Sequence, residues 1–375
     1  MTAHTTRLLP EELERIEYLC KHKGVHPIAV DLAARVFQIC YVDLSSGKLC
    51  NYQLSRPKFI EFYKSRPDRT LFGFEACGAC NYYGREMLAL GHEVKVMPAA
   101  NLKAFLGLDK NDKLDALGIL RGLITPSIQS IPPRELSNQL LLNLFTIREN
   151  LSKQLTQTIN ATHGILYELG EVVGRANAKS LTQLTSGLAT VKSRYTAPKE
   201  ASLHLQTLCS ALESDASSLS SCIKTLDSYL EDYGSKQAAC ANLCTIPGIG
   251  MKTALAIFAE AGDIKRFPSA RRFASFLGVA PRVSGTGGKT LVLGLRKNGK
   301  SSVKKMLFMC AMVYLSNASR KGVQSLWIKQ RLANGCSKKK LICAIMNRMA
   351  RIAYAVLKTG QPFDPAKSNL VKSLH

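Results

Sequence analysis

The hydrophobic pattern changes near residue 121 and divides the chain into two kinds of structure. From residue 26 to about 100, short apolar runs alternate with turn signals and with two segments of helical spacing, PKFIEFYKS and NYYGREMLALG. Strands that alternate with helices predict an α/β layered domain. From about residue 121 to 244 glycines are few and apolar residues recur at helical spacing, which is typical of a coiled coil or helical hairpin that dimerises. An ordinary helical bundle is the alternative.

Positive charge is concentrated in the last third of the chain. Residues 246–375 contain 24 Lys and Arg but only three acids, so they carry a net +21 of the chain's +24. Such a field attracts polyanions, of which nucleic acid is the most common. A membrane surface is the rival partner, but we find no apolar run of about 18 residues and no signal peptide in residues 1–20. We therefore expect a cytoplasmic protein that binds nucleic acid.

The twelve cysteines form neither a clear zinc site nor a disulfide framework. Cys77 and Cys80 have only His92 near them in sequence, and Cys240 and Cys244 have no histidine nearby. Neither pair reaches the four ligands of a structural zinc site. We expect the cysteines to be mainly small buried hydrophobic residues.

Four acids occupy positions that suggest a metal site. Asp31 and Glu75 each follow a buried apolar run, where a carboxylate is unfavourable unless its charge is compensated. Asn111 is a suitable N-cap for a helix that would place Asp112 and Asp115 on one face. If these elements converge, the carboxylates could bind divalent cations such as Mg²⁺, which act as clamps in phosphoryl transfer. Alternatively, each acid is an isolated surface or capping group.

The order of these acids also carries information. A strand aspartate, a hairpin, a later strand glutamate and a helix with two aspartates resemble the layout of an RNase H-like, RuvC-type nuclease domain. Asp109, about one turn before Asp112, is a further candidate ligand. The sequence therefore indicates a nuclease-like metal centre in the α/β domain.

The basic region opens with a glycine-containing turn, Ile246-Pro247-Gly248-Ile249-Gly250, before an alanine-rich helix. Glycine permits such a turn, and the amides of the next helix are then free to bind a phosphate. This is the pattern of a helix-hairpin-helix, although the same turn can be purely structural. Nucleic-acid contacts are expected here and in the cationic segments that follow, at Gly248, Gly250, Lys252, Arg282, Lys289, Arg296, Lys297, Lys300, Lys304 and Lys305, where solvated surface charge is the alternative.

Residues 294–301, GLRKNGKS, match the P-loop expression GxxxxGK[ST]. We reject ATP hydrolysis because the only acid after Ser301 is Asp364 and the following sequence is helical, whereas a P-loop enzyme needs a downstream acid and a parallel sheet. The lysines and arginines of this segment are better explained as phosphate contacts.

Ser284 lies in a glycine-rich cationic segment, PRVSGTGGKT, where a serine could approach a phosphodiester closely. Taken alone it is an ordinary turn serine. As a nucleophile it would need activation, but the only histidine of this region is His375. Activation would have to come from a metal or carboxylate of the N-terminal domain, in the same chain or in a second subunit.

Together, the segments IAVDLA, FGFEACG, KNDKLDALGI, IPGIGMKTA, FASFLGVAPRVSG and QPFDP resemble the DEDD insertion-sequence transposases, the family of the Piv-type invertases and the bridge-RNA-guided recombinases. The resemblance runs in order over residues 26–365. It implies that the four acids bind Mg²⁺ or Mn²⁺ and that Ser284 attacks DNA to form a 5′-phosphoserine intermediate. It also implies donor and target DNA, a bridge RNA, and dimers of dimers whose active sites combine two subunits.

We therefore expect four parts. They are an N-terminal extension (1–24), an α/β RNase H-like, RuvC-type catalytic domain (25–122), a helical or coiled-coil dimerisation region (123–243), and a basic, mainly α-helical transposase domain with a helix-hairpin-helix and the catalytic serine (244–375). The expected function is RNA-guided DNA recombination. Two alternatives remain: a metal-dependent Holliday-junction-type endonuclease without a covalent intermediate, and a non-catalytic nucleic-acid-binding scaffold.

Overall fold

The chain folds into two compact units, Met1–Leu136 and Ser137–His375. Their residues are mixed α/β and mostly helical. Among the helices that can be described, none is both long and apolar enough to cross a bilayer. The computed structural model describes residues 8–66, 69–106, 111–173, 180–195, 199–286, 289–295, 299–320 and 325–367.

The first unit is a sheet covered by helices on both faces, which confirms the predicted α/β architecture. Its strands and helices follow the order expected from the apolar runs between residues 26 and 100. In chain order they are α1 (Pro10–Lys23), β1 (His26–Leu32), β2 (Val36–Val42), β3 (Leu49–Ser55), α2 (Arg56–Lys64), β4 (Thr70–Glu75), α3 (Cys80–Ala89), β5 (Glu93–Met97), α4 (Ala99–Leu102) and α5 (Asp112–Ile124).

The sheet is mixed, with the strand order β3-β2-β1-β4-β5. β1, β2 and β3 are antiparallel neighbours, whereas β4 is parallel to β1 and β5 is parallel to β4. Phe59 of α2 and Tyr83 of α3 belong to the core on one face. Ile16 of α1 and Leu120 of α5 belong to the core on the other. Side chains alternate along a strand, so each strand contributes to both cores.

The segment assigned to an N-terminal extension contributes a helix to the second of these cores. Ile16 of α1 is 1% exposed, and Glu12 forms a half-buried ion pair with Arg121 of α5, with 3.0 Å between Oε1 and Nε. α5 in turn packs closely against the sheet. A Cβ built on Gly73 of β4 would be only 2.8 Å from Leu123 of α5. α1 therefore helps to hold α5 against the sheet.

In the residues that the structure describes, the second unit is helical apart from one hairpin. Its largest core joins α9–α14, and the long apolar run ICAIMNRMARIAYAVLK lies within the last helix, as expected. The elements are α6 (Leu136–Glu168), α7 (Ser180–Arg194), α8 (Lys199–Ser235), α9 (Ala238–Cys244), α10 (Met251–Ala261), α11 (Ala270–Phe276), β6 (Pro281–Thr286), β7 (Lys289–Leu295), α12 (Ser301–Arg320), α13 (Leu326–Ala333) and α14 (Lys338–Thr359).

α6 and α8 form an antiparallel helical pair. Arg148 binds Asp227, with 2.9 Å between Nε and Oδ1, and ten residues further along α6 Thr158 donates to Asp215 at 2.7 Å. As the residue number rises along α6, the number of the contacted residue falls along α8, so the two helices are antiparallel. α7 packs at the far end of the pair, where Leu184 and Leu166 share a small core. Within one chain the helical region is thus a hairpin, one of the arrangements that its spacing predicts.

Candidate functional site

Two of the four predicted acids lie side by side at one edge of the sheet. β1 and β4 are parallel and Val30 pairs with Phe74, so Asp31 and Glu75 occupy the next position on neighbouring strands. Residue alternation puts Asp31 on the same face as Ala29, which belongs to the core that includes α5. The side chains of Asp31 and Glu75 therefore both leave the sheet on the face that α5 covers.

The other two acids lie in the first turn of α5. The side chain of Asn111 accepts a hydrogen bond from the backbone N–H of Lys113 at 3.0 Å, which confirms the predicted N-cap and fixes the start of the helix at Asp112. Asp112 is exposed and Asp115 is half-buried. Asp109 falls outside the described residues.

The four acids influence one another electrostatically. Burial, followed by repulsion from Asp115, Asp112 and Glu75, raises the pKa of Asp31 from 3.8 to about 6. In the part of the chain that the structure describes, no three His, Cys, Asp or Glu side chains are already arranged as metal ligands. The acids therefore form a crowded carboxylate cluster and not a preformed coordination shell. An all-oxygen donor set that repels itself fits a hard divalent cation, which would offset the repulsion.

A chain of side-chain amides links the sheet to the first turn of α5. Gln38 of β2, opposite Asp31 in the register and 2% exposed, donates from Nε2 to Oδ1 of Asn51 at 2.5 Å. Asn51 of β3 donates from Nδ2 to the backbone carbonyl of Lys113 at 2.8 Å. We call Gln38 and Asn51 the amide relay. It fixes the helix turn that carries the two aspartates.

A third amide reaches an acid directly. Gln53 of β3 donates to Oδ2 of Asp112, at 3.4 Å. Sequence reasoning missed these three amides. One signal was available, since Gln38 interrupts the apolar run VFQICYV of a buried strand, where an amide needs a hydrogen-bonding partner.

Ser284 lies on a β-hairpin and not in an irregular loop. β6 and β7 pair in an antiparallel two-stranded sheet, in which Ser284 is opposite Leu291. Ser284 is exposed. It belongs to the second unit, whereas the four acids belong to the first. The same hairpin argues against a P-loop, because the strand before GLRKNGKS pairs, within the described residues, only with one antiparallel strand.

Three of the predicted phosphate contacts take part in ion pairs within the second unit. Lys252 lies 2.8 Å from Asp227, Lys300 lies 3.3 Å from Glu260 and Lys305 lies 2.5 Å from Glu149. Arg282 is exposed on β6, and Lys304 is partly buried on α12. Arg296 and Lys297 lie outside the described residues, as does the side chain of Lys289.

The ion pairs lower the pKa values of two of these acids. Hydrogen bonds from Lys305 and Ser302 lower the pKa of Glu149 to about 2. Burial would raise the pKa of Asp227, but hydrogen bonds from Arg148 and Lys252 lower it overall. The paired lysines thus connect α10 and α12 to the α6–α8 pair.

The glycine turn joins α9 to α10, and its two glycines differ. Gly248 has φ +88°, and a Cβ there would be 2.9 Å from the carbonyl oxygen of Cys310, so this position requires glycine for packing as well as for conformation. Gly250 is the N-cap of α10, with no atom within 4 Å of its added Cβ. Only Gly250 offers open space for a phosphate.

Comparison with known proteins gives matches over most of the chain. Residues 240–325 match the family model described as "Transposase IS116/IS110/IS902 family". The transposase of insertion sequence element IS1328 from Yersinia enterocolitica is 28% identical over 90% of this chain and 98% of its own length. A probable family 20 transposase from Pseudomonas aeruginosa is 29% identical over the same shares. The pilin gene-inverting protein of Moraxella bovis is 35% identical over 32% of this chain and 38% of its own length.

The matched family region begins within α9 and ends just before α13. It therefore includes the glycine turn, the β6–β7 hairpin with Ser284, and α12. The matches to the two transposases cover 90% of this chain and therefore extend the similarity into the α/β unit. These matches support an IS110-type transposase or recombinase, similar to members of the IS116/IS110/IS902 transposase family.

Proposed function

We propose that this protein is an insertion-sequence recombinase that cuts and rejoins DNA with a carboxylate-bound divalent metal and a serine nucleophile. The observation that carries the proposal is the cluster of Asp31, Glu75, Asp112 and Asp115. Burial, together with repulsion from the other three acids, raises the pKa of Asp31 to about 6. Four carboxylates placed together repel one another and do not stabilise the fold, so the cluster indicates a site for a cation. The relatives support the DNA substrate, since they are named as transposases and as a gene-inverting protein.

The order of elements supports an RNase H-like, RuvC-type first unit. The strand with Asp31 is followed by two antiparallel strands, then by the parallel strand that ends at Glu75, and finally by the helix with both aspartates. These four acids would hold Mg²⁺ or Mn²⁺. The metal would supply charge stabilisation at the reacting phosphate and favour ionisation of the attacking hydroxyl.

The chain's own residues would act as follows. The amide relay orients the first turn of α5, so that Asp112 and Asp115 face Asp31. Ser284 Oγ forms a bond with phosphorus, the bond from phosphorus to the 3′ oxygen breaks, and the serine proton ends on the released 3′ hydroxyl. The product is a 5′-phosphoserine, which conserves the phosphodiester energy for rejoining without ATP.

The partners of this reaction would be donor and target DNA, a bridge RNA, and further copies of the chain arranged as dimers of dimers. The net +21 of residues 246–375 supports polyanionic partners. The glycine turn, as a helix-hairpin-helix, would contribute Gly250 as a phosphate contact, and Arg282 would contribute another beside Ser284.

Two variants test the proposal. Asp112→Asn should abolish metal-dependent cleavage without weakening DNA binding, and Ser284→Ala should abolish the covalent protein-DNA adduct seen on denaturing gels. Glu14→Gln, an exposed acid of α1, serves as the matched control and should keep full activity. Full cleavage by Asp112→Asn would refute the metal site. An adduct that persists in Ser284→Ala would move the nucleophile to Thr286 or Ser301.

The same assays separate the alternative functions. Metal-dependent cleavage without any adduct would favour a junction-type endonuclease, and binding without cleavage would favour a scaffold. Mixing Ser284→Ala with Asp112→Asn subunits tests whether sites are shared, because one intact site can form from two defective chains. RNA that copurifies with the protein can be sequenced to test the bridge RNA.

A further inference from the structure

α13 and α14 carry positive charge that is not neutralised within the chain. The segment Leu326–Thr359 contains eight Lys and Arg residues and no acid. Among the described residues, none of these eight forms an ion pair, whereas Lys252, Lys300 and Lys305 each contact an acid. An external anion can therefore reach the eight charges of α13 and α14 without breaking an internal ion pair. This segment also lies beyond the residues matched by the family model.

Two arginines of this segment lie near the ring of the chain's single tryptophan, and a third lies close to one of them on α14. The guanidinium carbon of Arg348 lies 3.7 Å from the centroid of the Trp327 ring, and that of Arg331 lies 5.7 Å from it. Arg351 is one turn from Arg348 on α14. We call Trp327, Arg331, Arg348 and Arg351 the α13–α14 arginine cluster. Stacking on the indole holds a guanidinium in a fixed plane, so less side-chain entropy is lost when it binds a ligand.

The cluster is electrostatically unfavourable as it stands. Burial, and then repulsion from Arg331 and Arg351, lowers the pKa of Arg348, although an arginine remains charged at neutral pH. Packing of α13 against α14 accounts for Arg348, which is partly buried. It does not account for Arg331 and Arg351, which are exposed and add to the repulsion. An anion bound over the cluster would offset it.

We propose that the α13–α14 arginine cluster binds the phosphate backbone of duplex DNA, as a contact surface distinct from the glycine turn and the β6–β7 hairpin. Guanidinium groups are donors only and match phosphate oxygens with two parallel hydrogen bonds. Phosphate contacts of this kind are the same in DNA and RNA, so the choice of duplex DNA follows from the DNA substrate of the proposed function. Such contacts position the duplex without reading its sequence.

A lysine nearer the start of α14 could extend this surface along a nucleic-acid backbone. Lys340 is eight residues before Arg348 on α14 and is exposed. At 1.5 Å per residue the two lie about 12 Å apart along the helix. The inference rests on the DNA substrate of the proposed function, but it does not depend on cleavage chemistry.

The test measures binding of the full-length protein without divalent metal, so that no cleavage occurs. Its probes are a short duplex of unrelated sequence and a structured RNA of equal length, each titrated over a range of salt concentrations. Arg351→Gln removes one exposed charge and leaves the tryptophan stack in place. It should reduce the slope of log Kd against log salt by about 0.9 and weaken duplex binding about fivefold at about 0.15 M salt. Adding Arg331→Gln should double the loss of slope.

Lys224→Gln is the matched control, because Lys224 is exposed on α8 and the charge change is the same. It should leave the duplex slope unchanged, and thermal melts should show that all variants remain folded. An unchanged slope in the double variant would overturn the proposal, as would an equal effect in Lys224→Gln. A loss confined to the RNA probe would assign the cluster to RNA and refute the DNA assignment. Failure of recombination would count against the proposed function and leave this binding result intact.

Discussion

Replacing Asp31 by asparagine should stabilise the first unit when no divalent cation is bound. The carboxylate is partly buried and is also repelled by Asp115, Asp112 and Glu75, which together raise its pKa from 3.8 to about 6. Each pKa unit corresponds to about 1.36 kcal/mol, so the full shift would correspond to about 3 kcal/mol. Asp31 keeps some solvent contact, and screening reduces the expected gain to about 1–2 kcal/mol.

The pH dependence has a definite sign. The folded-state pKa of Asp31 is raised, so the folded protein binds more protons than the unfolded chain between about pH 4 and pH 6, and stability falls as pH rises through that window. The gain from Asp31→Asn should therefore be small at about pH 4 and complete above about pH 7. For a unit of this size it corresponds to a rise in Tm of about 4–8 °C.

The assay is thermal unfolding of the wild type and Asp31→Asn with a chelator present, followed by a repeat with Mg²⁺. Magnesium should raise the Tm of the wild type, because a ligand that binds only the folded state stabilises it, and should raise that of Asp31→Asn less. Glu14→Gln controls for loss of an unrelated acid on the same unit. A gain of equal size at both ends of the pH range, or no gain at neutral pH, would refute the argument that charge repulsion raises the pKa.

Three further predictions concern positions outside the acids. Asn51→Ala removes the hydrogen bond to the carbonyl of Lys113 and should weaken magnesium binding and cleavage about 10–100-fold, as removal of outer-shell partners does. Calorimetric titration with Mg²⁺ and cleavage rates measure the effect, and Asn51→Gln is the variant that keeps an amide. Gly248→Ala should destabilise the second unit in urea denaturation by more than about 1 kcal/mol, because φ is positive and a Cβ would be 2.9 Å from the carbonyl oxygen of Cys310; Gly250→Ala should change stability less. Ile16→Ala should destabilise the first unit by about 2–5 kcal/mol, and an unchanged melting transition would mean that α1 is dispensable.

The sequence was sufficient to predict elements whose signals are local. Short apolar runs separated by turn signals identified the strands of the first unit, and Asn111 marked the start of α5 because an N-cap is recognised from its own side chain. The acids at the ends of β1 and β4 were also predictable, since a carboxylate after an apolar strand is conspicuous. Their convergence depended on the strand order, which the chain order alone does not fix.

Features that depend on distant partners were not predictable. Gln38 looked like one polar residue in an apolar strand, and its role in the amide relay requires Asn51 and Lys113, which come from other elements. Ser284 looked like an ordinary turn serine in a glycine-rich segment, yet it lies in a strand that pairs with β7. In both cases tertiary contacts decide what local preference leaves open.

The sequence also does not show which positive charges are available to bind DNA. A count of residues gives +21 for the last third of the chain and treats all its cations as equally available to DNA. In the fold, acids of α6, α8 and α10 contact Lys305, Lys252 and Lys300, so a phosphate would have to displace a carboxylate to reach them. Displacement lowers the net gain from each contact, because one ion pair replaces another. The arginines around Trp327 have no such competitor among the described residues, and they should therefore contribute more to DNA affinity per charge than the paired lysines do.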